Sequence, residues 1–180
     1  MGKKWTAIAI ALFMIMMIVP GCQTGETIDR PLTVIFFSNF SPTFQNKIKS
    51  EIASFLPNSV PFKIIVYPAV QEKLIVELSA RDGDLYIADD ALIKNYLSVN
   101  GITPLDSLGK QSKLTNLNQY YTKNEDTNET HLYGIPITNQ SYVFHELGIH
   151  LKSNLIAILP QFSKRKKDSF EILKVLLKQD

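Results

Sequence analysis

The sequence predicts an α/β fold in which helices flank a mostly parallel β-sheet. Two observations carry this. Short runs rich in β-formers, Thr33–Phe37, Phe62–Tyr67 and Asp84–Ala88, alternate with stretches whose apolar residues recur at helical spacing. Strands alternating with helices over short links require right-handed parallel crossovers. The first run is also apolar without alternation, which is how a strand buried on both faces reads.

Taken in order, Thr33–Phe37 is the first strand. Ser41-Pro42 follows as an N-cap with proline at the first helical position. Phe44, Ile48, Ile52, Phe55 and Leu56 then form one helical stripe that Pro57 stops. Phe62–Tyr67 is a second strand closed by Pro68, and Val70, Leu74 and Leu78 make the apolar stripe of a second helix, with Glu72, Lys73 and Glu77 expected to face water. Asp84–Ala88 is the third strand. Ala91–Val99 reads as a third helix ending at Asn100-Gly101, a favourable C-cap. Ser107–His131 is polar and reads as a long surface excursion. Tyr133–Ile137 and Leu155–Leu159 are two further short apolar runs, and an amphipathic helix over roughly Asp168–Leu177 closes the chain.

The first residues set the compartment. Lys3 and Lys4 precede an apolar run of 13 residues, Ala7–Val19, the layout of an export signal. At about 1.5 Å per residue this run spans roughly 20 Å, short of a hydrocarbon core about 30 Å thick. Val19-Pro20-Gly21-Cys22 ends it, and this segment resembles the lipobox of bacterial lipoproteins. The resemblance implies cleavage before Cys22 and a diacylglyceryl group on its thiol, hence anchoring at the extracytoplasmic face of the cell membrane. Two acyl chains suffice for stable anchoring where one is marginal. Cys22 is the only cysteine, so no intrachain disulfide is possible. The organisation that follows is a signal peptide over 1–21, a lipidated N-terminus and tether over 22–32, and one α/β domain over 33–180. Removing residues 1–21 takes two of the 19 Lys and Arg and none of the 17 Asp and Glu, leaving a formal charge of zero. With no basic stripe interleaved with aromatics, nucleic acid is not an expected partner.

The order of the pieces adds a second resemblance. Asp84-Leu-Tyr-Ile-Ala-Asp89 leads into a helix, Gly101 and the turn Pro104-Leu105-Asp106, and after a polar loop comes Tyr133-Gly-Ile-Pro136. This series is similar to the first lobe of type 2 extracellular solute-binding proteins, in which the chain crosses to a second lobe after such a strand and later returns. The resemblance implies that Leu155–Leu159 is the return strand, antiparallel and lying between the third and fourth strands. The sheet would then have five strands in the order 2-1-3-5-4. Only Thr138–Asn154 separates departure from return, too little for a second lobe, since self-standing domains need about 40 residues or more. The expected architecture is one lobe.

Chemistry-bearing residues are sparse. Asp82, Asp84, Asp89 and Asp90 bracket the third strand, but Asp84 and Asp89 lie about 15 Å apart along it and cannot share a site. Asp89 or Asp90 is read as the N-cap of the next helix. His145 and His150 are five apart and fall on different helical faces, unlike a zinc-binding pair. No phosphate loop, nucleophile elbow or paired-cysteine pattern is present, so no metal, cofactor or catalytic role is expected. Ser163-Lys-Arg-Lys-Lys167 reads as an exposed, solvated turn with the helix starting near Asp168; contact with anionic lipid is the functional alternative. Ligands of open α/β sheets sit at the carboxyl ends of the strands, which makes Ser38, Asn39, Asp89 and Tyr133 the candidate ligand-binding residues. The expected role is binding, of a solute weakly or of an envelope protein. The alternative is a structural or interaction lipoprotein with no small-molecule ligand.

Overall fold

Leu32–Phe37 (β1) is buried at every residue and is an inner strand of the sheet. The computed structural model describes residues 30–41, 43–56, 60–96 and 101–179. The export segment, Cys22 and most of the tether lie outside the described residues. From β1 the chain runs through α1 (Phe44–Phe55), β2 (Phe62–Tyr67), α2 (Gln71–Ala80), β3 (Leu85–Asp89) and a short α3 (Asp90–Ile93). It continues through α4 (Asp106–Gln111), β4 (Tyr121–Lys123), β5 (Thr130–Leu132), β6 (Ile135–Ile137), α5 (Tyr142–Glu146), β7 (Leu155–Ile158) and α6 (Lys166–Leu177).

The five-stranded sheet has the order β2-β1-β3-β7-β6. β1 pairs in parallel with β2 and β3, and β7 runs antiparallel to both β3 and β6. This is the order expected from the sequence, with Leu155–Ile158 as the antiparallel insertion. The first crossover leads to one side of β1 and the second to the other, so the right-handed rule puts α1 and α2 on opposite faces. Side chains sort accordingly. Phe37 stacks on Tyr86, whose hydroxyl donates to the Glu77 carbonyl of α2 at 2.8 Å. Phe36 points the other way, toward Phe40, which meets Phe144 of α5 edge-on at 5.8 Å. The whole span Thr138–Asn154 folds back onto this face. Val143 and Phe144 are buried, Ser141 bridges to Gln179, and Asn139 clamps Leu151 through bonds of 2.7 and 3.1 Å.

Several local expectations are corrected. Glu77 is buried rather than facing water, because it follows Leu74 by three residues and precedes Leu78 by one, which puts it on the core-facing stripe. Its charge is met by Lys73 at 2.5 Å, whose ammonium also sits over the Tyr67 ring at 4.3 Å. The third helix narrows after Ile93 into a 3₁₀ turn, Lys94–Tyr96, a common way for a helix to end; residues 97–100 lie outside the described residues. Neither Ser41 nor Asp89 caps a helix through its side chain: α1 starts after Thr43, and the Ser41 hydroxyl bonds that of Thr43 at 2.9 Å. The polar excursion is structured, since Leu108 and Tyr120 are buried within it and β4 and β5 pair as a hairpin. The Asn124 side chain holds the hairpin tip by accepting from the Asp126 and Thr127 amides.

The amino ends of β1 and β3 are joined by a polar cluster that revises the reading of Ser163–Lys167. Asp84, fully buried, accepts both guanidinium arms of Arg30 at 2.8 Å, the Thr33 amide at 3.0 Å and the Ser163 hydroxyl at 3.1 Å. Arg165 is buried rather than solvated. It donates to the Arg30 carbonyl at 2.6 Å and pairs with Asp168 at 2.7 Å. With the guanidinium drawn onto these partners and Asp168 in the first turn to complement the macrodipole, α6 starts at Lys166, ahead of Asp168.

Candidate functional site

The chain leaves β1 toward β2 on one side and returns to β3 on the other, so a crevice opens at the carboxyl ends of β1 and β3. Phe37 is level with Ala88, which places Ser38 and Asp89 on adjacent strands roughly 5 Å apart at Cα. Ser38 is buried and its amide extends the ladder to the Tyr67 carbonyl at 3.0 Å, while Asn39 is exposed beside it. Asp89 ends β3 opposite Leu155, half-buried, and burial pushes its carboxyl above the ordinary carboxylate range.

Tyr133 does not join them. Ile135 and Ile87 both pair with Ala157 and are therefore level across the sheet. Tyr133, two residues earlier, sits level with Leu85 near the amino ends of the parallel strands. Four residues of strand, about 13 Å, separate its level from that of Asp89. Its ring packs edge-on against His131 at 6.2 Å, which gives it a structural place in the hairpin base. His131 is itself half-buried, held between Asp106 at 3.0 Å and Glu129 at 3.2 Å, and its pKa is raised by those two carboxylates.

The structure brings other groups to the carboxyl end. The Asp90 amide donates to the Asn154 carbonyl at 3.2 Å, fixing the start of α3 against the start of β7. One carboxylate oxygen of Asp90, Oδ1, is buried without a hydrogen-bond partner. Beside this carboxylate lies Tyr120, whose pKa is pushed up to about 12, first by burial and then by the negative charge of Asp90. A polar hollow of about 190 Å³ opens next to them, lined among others by Lys113, Asn116, Gln119, Tyr120, Thr138 and Asn154. That is below the roughly 300–1,000 Å³ usual for a ligand pocket. It suits a small polar molecule or one polar group of a larger partner. Larger hollows lie elsewhere, two of them well above this size. One of about 370 Å³ runs along α2 past Leu78, Tyr96 and Ile102, and one of about 340 Å³ lies between the C-terminal ends of α4 and α6. In the first the only charged group is Arg81, already over the Phe162 ring at 5.6 Å. In the second, Lys174 is paired with Glu171 and Lys178 covers Phe55. Neither aims a set of polar groups at one point.

Of the residues singled out in the sequence, Ser38, Asn39 and Asp89 lie together at the carboxyl end and Tyr133 does not, while Tyr120, Thr138 and Asn154, which line the hollow, were not singled out. The signal for Tyr120 was an aromatic pair, Tyr120-Tyr121, inside an otherwise polar stretch. Asp82 lies beside Arg30 and Arg81 at the amino end, and among the described residues no group of three His, Cys, Asp or Glu converges as a metal site.

No family model matches the chain. It is 25% identical over 150 residues to the "Putative lipoprotein YteS" of Bacillus subtilis (strain 168), an alignment covering 82% of this chain and 84% of that protein. Among solved structures, an H2O2-bound mutant of Corynebacterium glutamicum OxyR aligns over 97% of this chain and 74% of its own, at 12% identity and a TM-score of 0.37.

Proposed function

We propose that this chain is a lipoprotein anchored through Cys22 at the extracytoplasmic face of the cell membrane, and that its single α/β lobe acts by binding rather than by catalysis. The observation that carries the binding reading is the sheet order, with β7 antiparallel between β3 and β6. This is the strand order that the likeness to one lobe of a solute-binding protein required. The anchor is supported by Val19-Pro20-Gly21-Cys22 behind its apolar run, and by the name of the Bacillus subtilis relative. The proposed binding surface is the carboxyl end of the sheet, which carries Ser38, Asn39 and Asp89 on β1 and β3 and, separately, the hollow lined by Tyr120, Thr138 and Asn154.

A two-lobed receptor gains affinity when closure buries the ligand and stabilises the closed state. Here the span between β6 and β7 is spent on α5, which packs against its own lobe, so there is no second wall to close. Half the contacts of a micromolar site correspond to millimolar binding or weaker, since each tenfold is 1.4 kcal/mol. Tight binding then needs a partner protein that completes the crevice. The anchor is tested by Cys22→Ala, which abolishes the acyl mass increment and detergent partitioning; an unchanged increment refutes it. Calorimetry of the purified protein against sugars, amino acids and peptides is expected to find millimolar or weaker affinities. Micromolar binding without a partner would replace the partner reading with that of a complete small-ligand receptor.

A further inference from the structure

Helix α2 carries its charges on the wrong side for a surface helix. Its ion pair, Lys73 with Glu77, lies on the side that packs on the sheet: Glu77 is buried and the Lys73 ammonium covers the Tyr67 ring. The residues turned to solvent are Gln71, Glu72, Ile75, Val76, Ser79 and Ala80, of which Glu72 alone is charged. Ile75 is 41% exposed and Val76 57%. Both are β-branched, so they lower helix propensity rather than serve it, and their stiff side chains form a short apolar ridge at mid-helix. Helix α6 shows the ordinary solvated pattern, since its exposed residues, Lys167, Glu171 and Lys174, are all charged.

Opposite charges frame the ridge. Glu72 lies one turn before it, and Arg81 follows the helix as its left-handed C-cap. Neither has an ion-pair partner among the described residues. Arg81 rests over the Phe162 ring at 5.6 Å. The acid beside it, Asp82, lines a hollow with Arg30, Lys63 and Arg81. With Asp84, the partner of Arg30, also counted, that hollow keeps one positive charge.

We infer that the outer face of α2 is a self-association surface, on which two copies of this chain pair their α2 helices antiparallel about a two-fold axis between Ile75 and Val76. A two-fold interface uses the same patch twice, so the patch has to be its own complement. Antiparallel pairing meets that condition. With the axis at the ridge, Glu72 of one copy lies level with Ser79 of the other, and Arg81 stands two residues further on, about 3 Å along the helix. Each Glu72 carboxylate then meets an Arg81 guanidinium, the apolar ridges meet at the centre, and the helix dipoles run in opposite directions. Parallel pairing would set Glu72 against Glu72 and Arg81 against Arg81, which like-charge repulsion disfavours. A second copy therefore carries the required order of charges without further assumption. Neither the anchor nor the crevice enters this inference. The ten residues of α2 offer about 15 Å of helix, which is small for a specific interface, so association is expected in the micromolar range.

The test uses the full chain with Cys22→Ser, so that an introduced thiol is unique, solubilised in a mild detergent. Sedimentation equilibrium from about 1 to about 100 μM is expected to show monomer and dimer in exchange; a monomer throughout overturns the inference. Ile75→Ser/Val76→Ser is expected to raise the dimer Kd about tenfold or more, with folding checked by the unchanged Tm of the monomer. A dimer indifferent to that change lies on another surface and overturns it as well. Glu72→Arg and Arg81→Glu should each weaken the dimer several-fold, and the two together should restore it; failure to restore refutes the charge complement. Oxidation reads the direction of pairing. Val76→Cys, beside the axis, is expected to form an intermolecular disulfide, and so is a mixture of Glu72→Cys with Ser79→Cys. A disulfide of Glu72→Cys with itself shows parallel pairing and refutes the antiparallel arrangement.

Discussion

Replacing Asp84 by alanine removes one carboxylate and strands three donors. The Thr33 amide and the Ser163 hydroxyl, both buried, lose their acceptor, and Arg30 loses both of its bonds. Removing one partner of a buried pair costs about 3–5 kcal/mol. The Arg30 side chain is 48% exposed and recovers solvent on release, which places the expected loss near the lower end, about 3 kcal/mol. For a chain of this size that is about 6–12 °C in Tm. Asp84→Asn keeps an acceptor but forfeits charge assistance, and should cost roughly half as much. Urea unfolding of the purified protein measures both, read as a shift in midpoint at unchanged m. The double variant with Arg30→Ala isolates the pair, whose coupling should exceed about 0.5 kcal/mol. A loss under about 1 kcal/mol for Asp84→Ala, or strict additivity with Arg30→Ala, would refute the view that this cluster fixes the tether.

Two further perturbations test the packing and the hairpin. Tyr86→Phe leaves the Gly83 amide and the Glu77 carbonyl without the hydroxyl that bridges them at 2.9 and 2.8 Å, for an expected loss of about 1–2 kcal/mol in thermal unfolding. Gly83→Ala should cost a comparable 1–3 kcal/mol, because its Cβ would meet the Tyr86 ring at 2.7 Å; a neutral result for both would mean that this corner is loosely packed. His131, with its pKa raised by Glu129 and Asp106, stabilises the fold most below its unfolded pKa of about 6.5 and loses that contribution as pH rises through the folded value. The Tm of the protein should therefore fall relative to His131→Gln from about pH 6.5 upward, and the opposite slope would show that the ring is held neutral.

What the sequence made legible follows from what each signal measures. Continuous apolar runs report burial on both faces, and β1 and β7, the two clearest runs, are buried at every residue. Short links report crossovers, and those limit the order to few choices. Polar residues were harder to place, because their position depends on partners far along the chain. Glu77 reads as solvated until Lys73 and Tyr86 are beside it. Arg165 reads as part of a charge run until Arg30, 135 residues away, offers its carbonyl. Tyr133 reads as a carboxyl-end residue because its motif leads into a strand, whereas register alone tells which end of the strand it occupies. The hollow by Tyr120 depends on the excursion over 112–120 folding back to meet Thr138 and Asn154, and no local pattern encodes that closure.

The strand directions relate the tether's point of entry to the crevice. Every parallel strand starts near Arg30 and ends near the crevice of Ser38, Asp89 and Asp90, and six residues of β1 span about 20 Å. On the proposed anchor at Cys22, the tether enters at Arg30 and the crevice lies at the far end of β1, a strand's length from that point of entry. The Asp84 cluster that receives the tether and the proposed crevice are separable for this reason: the sheet places their residues at opposite ends, with the buried core of β1, β3 and β7 between them.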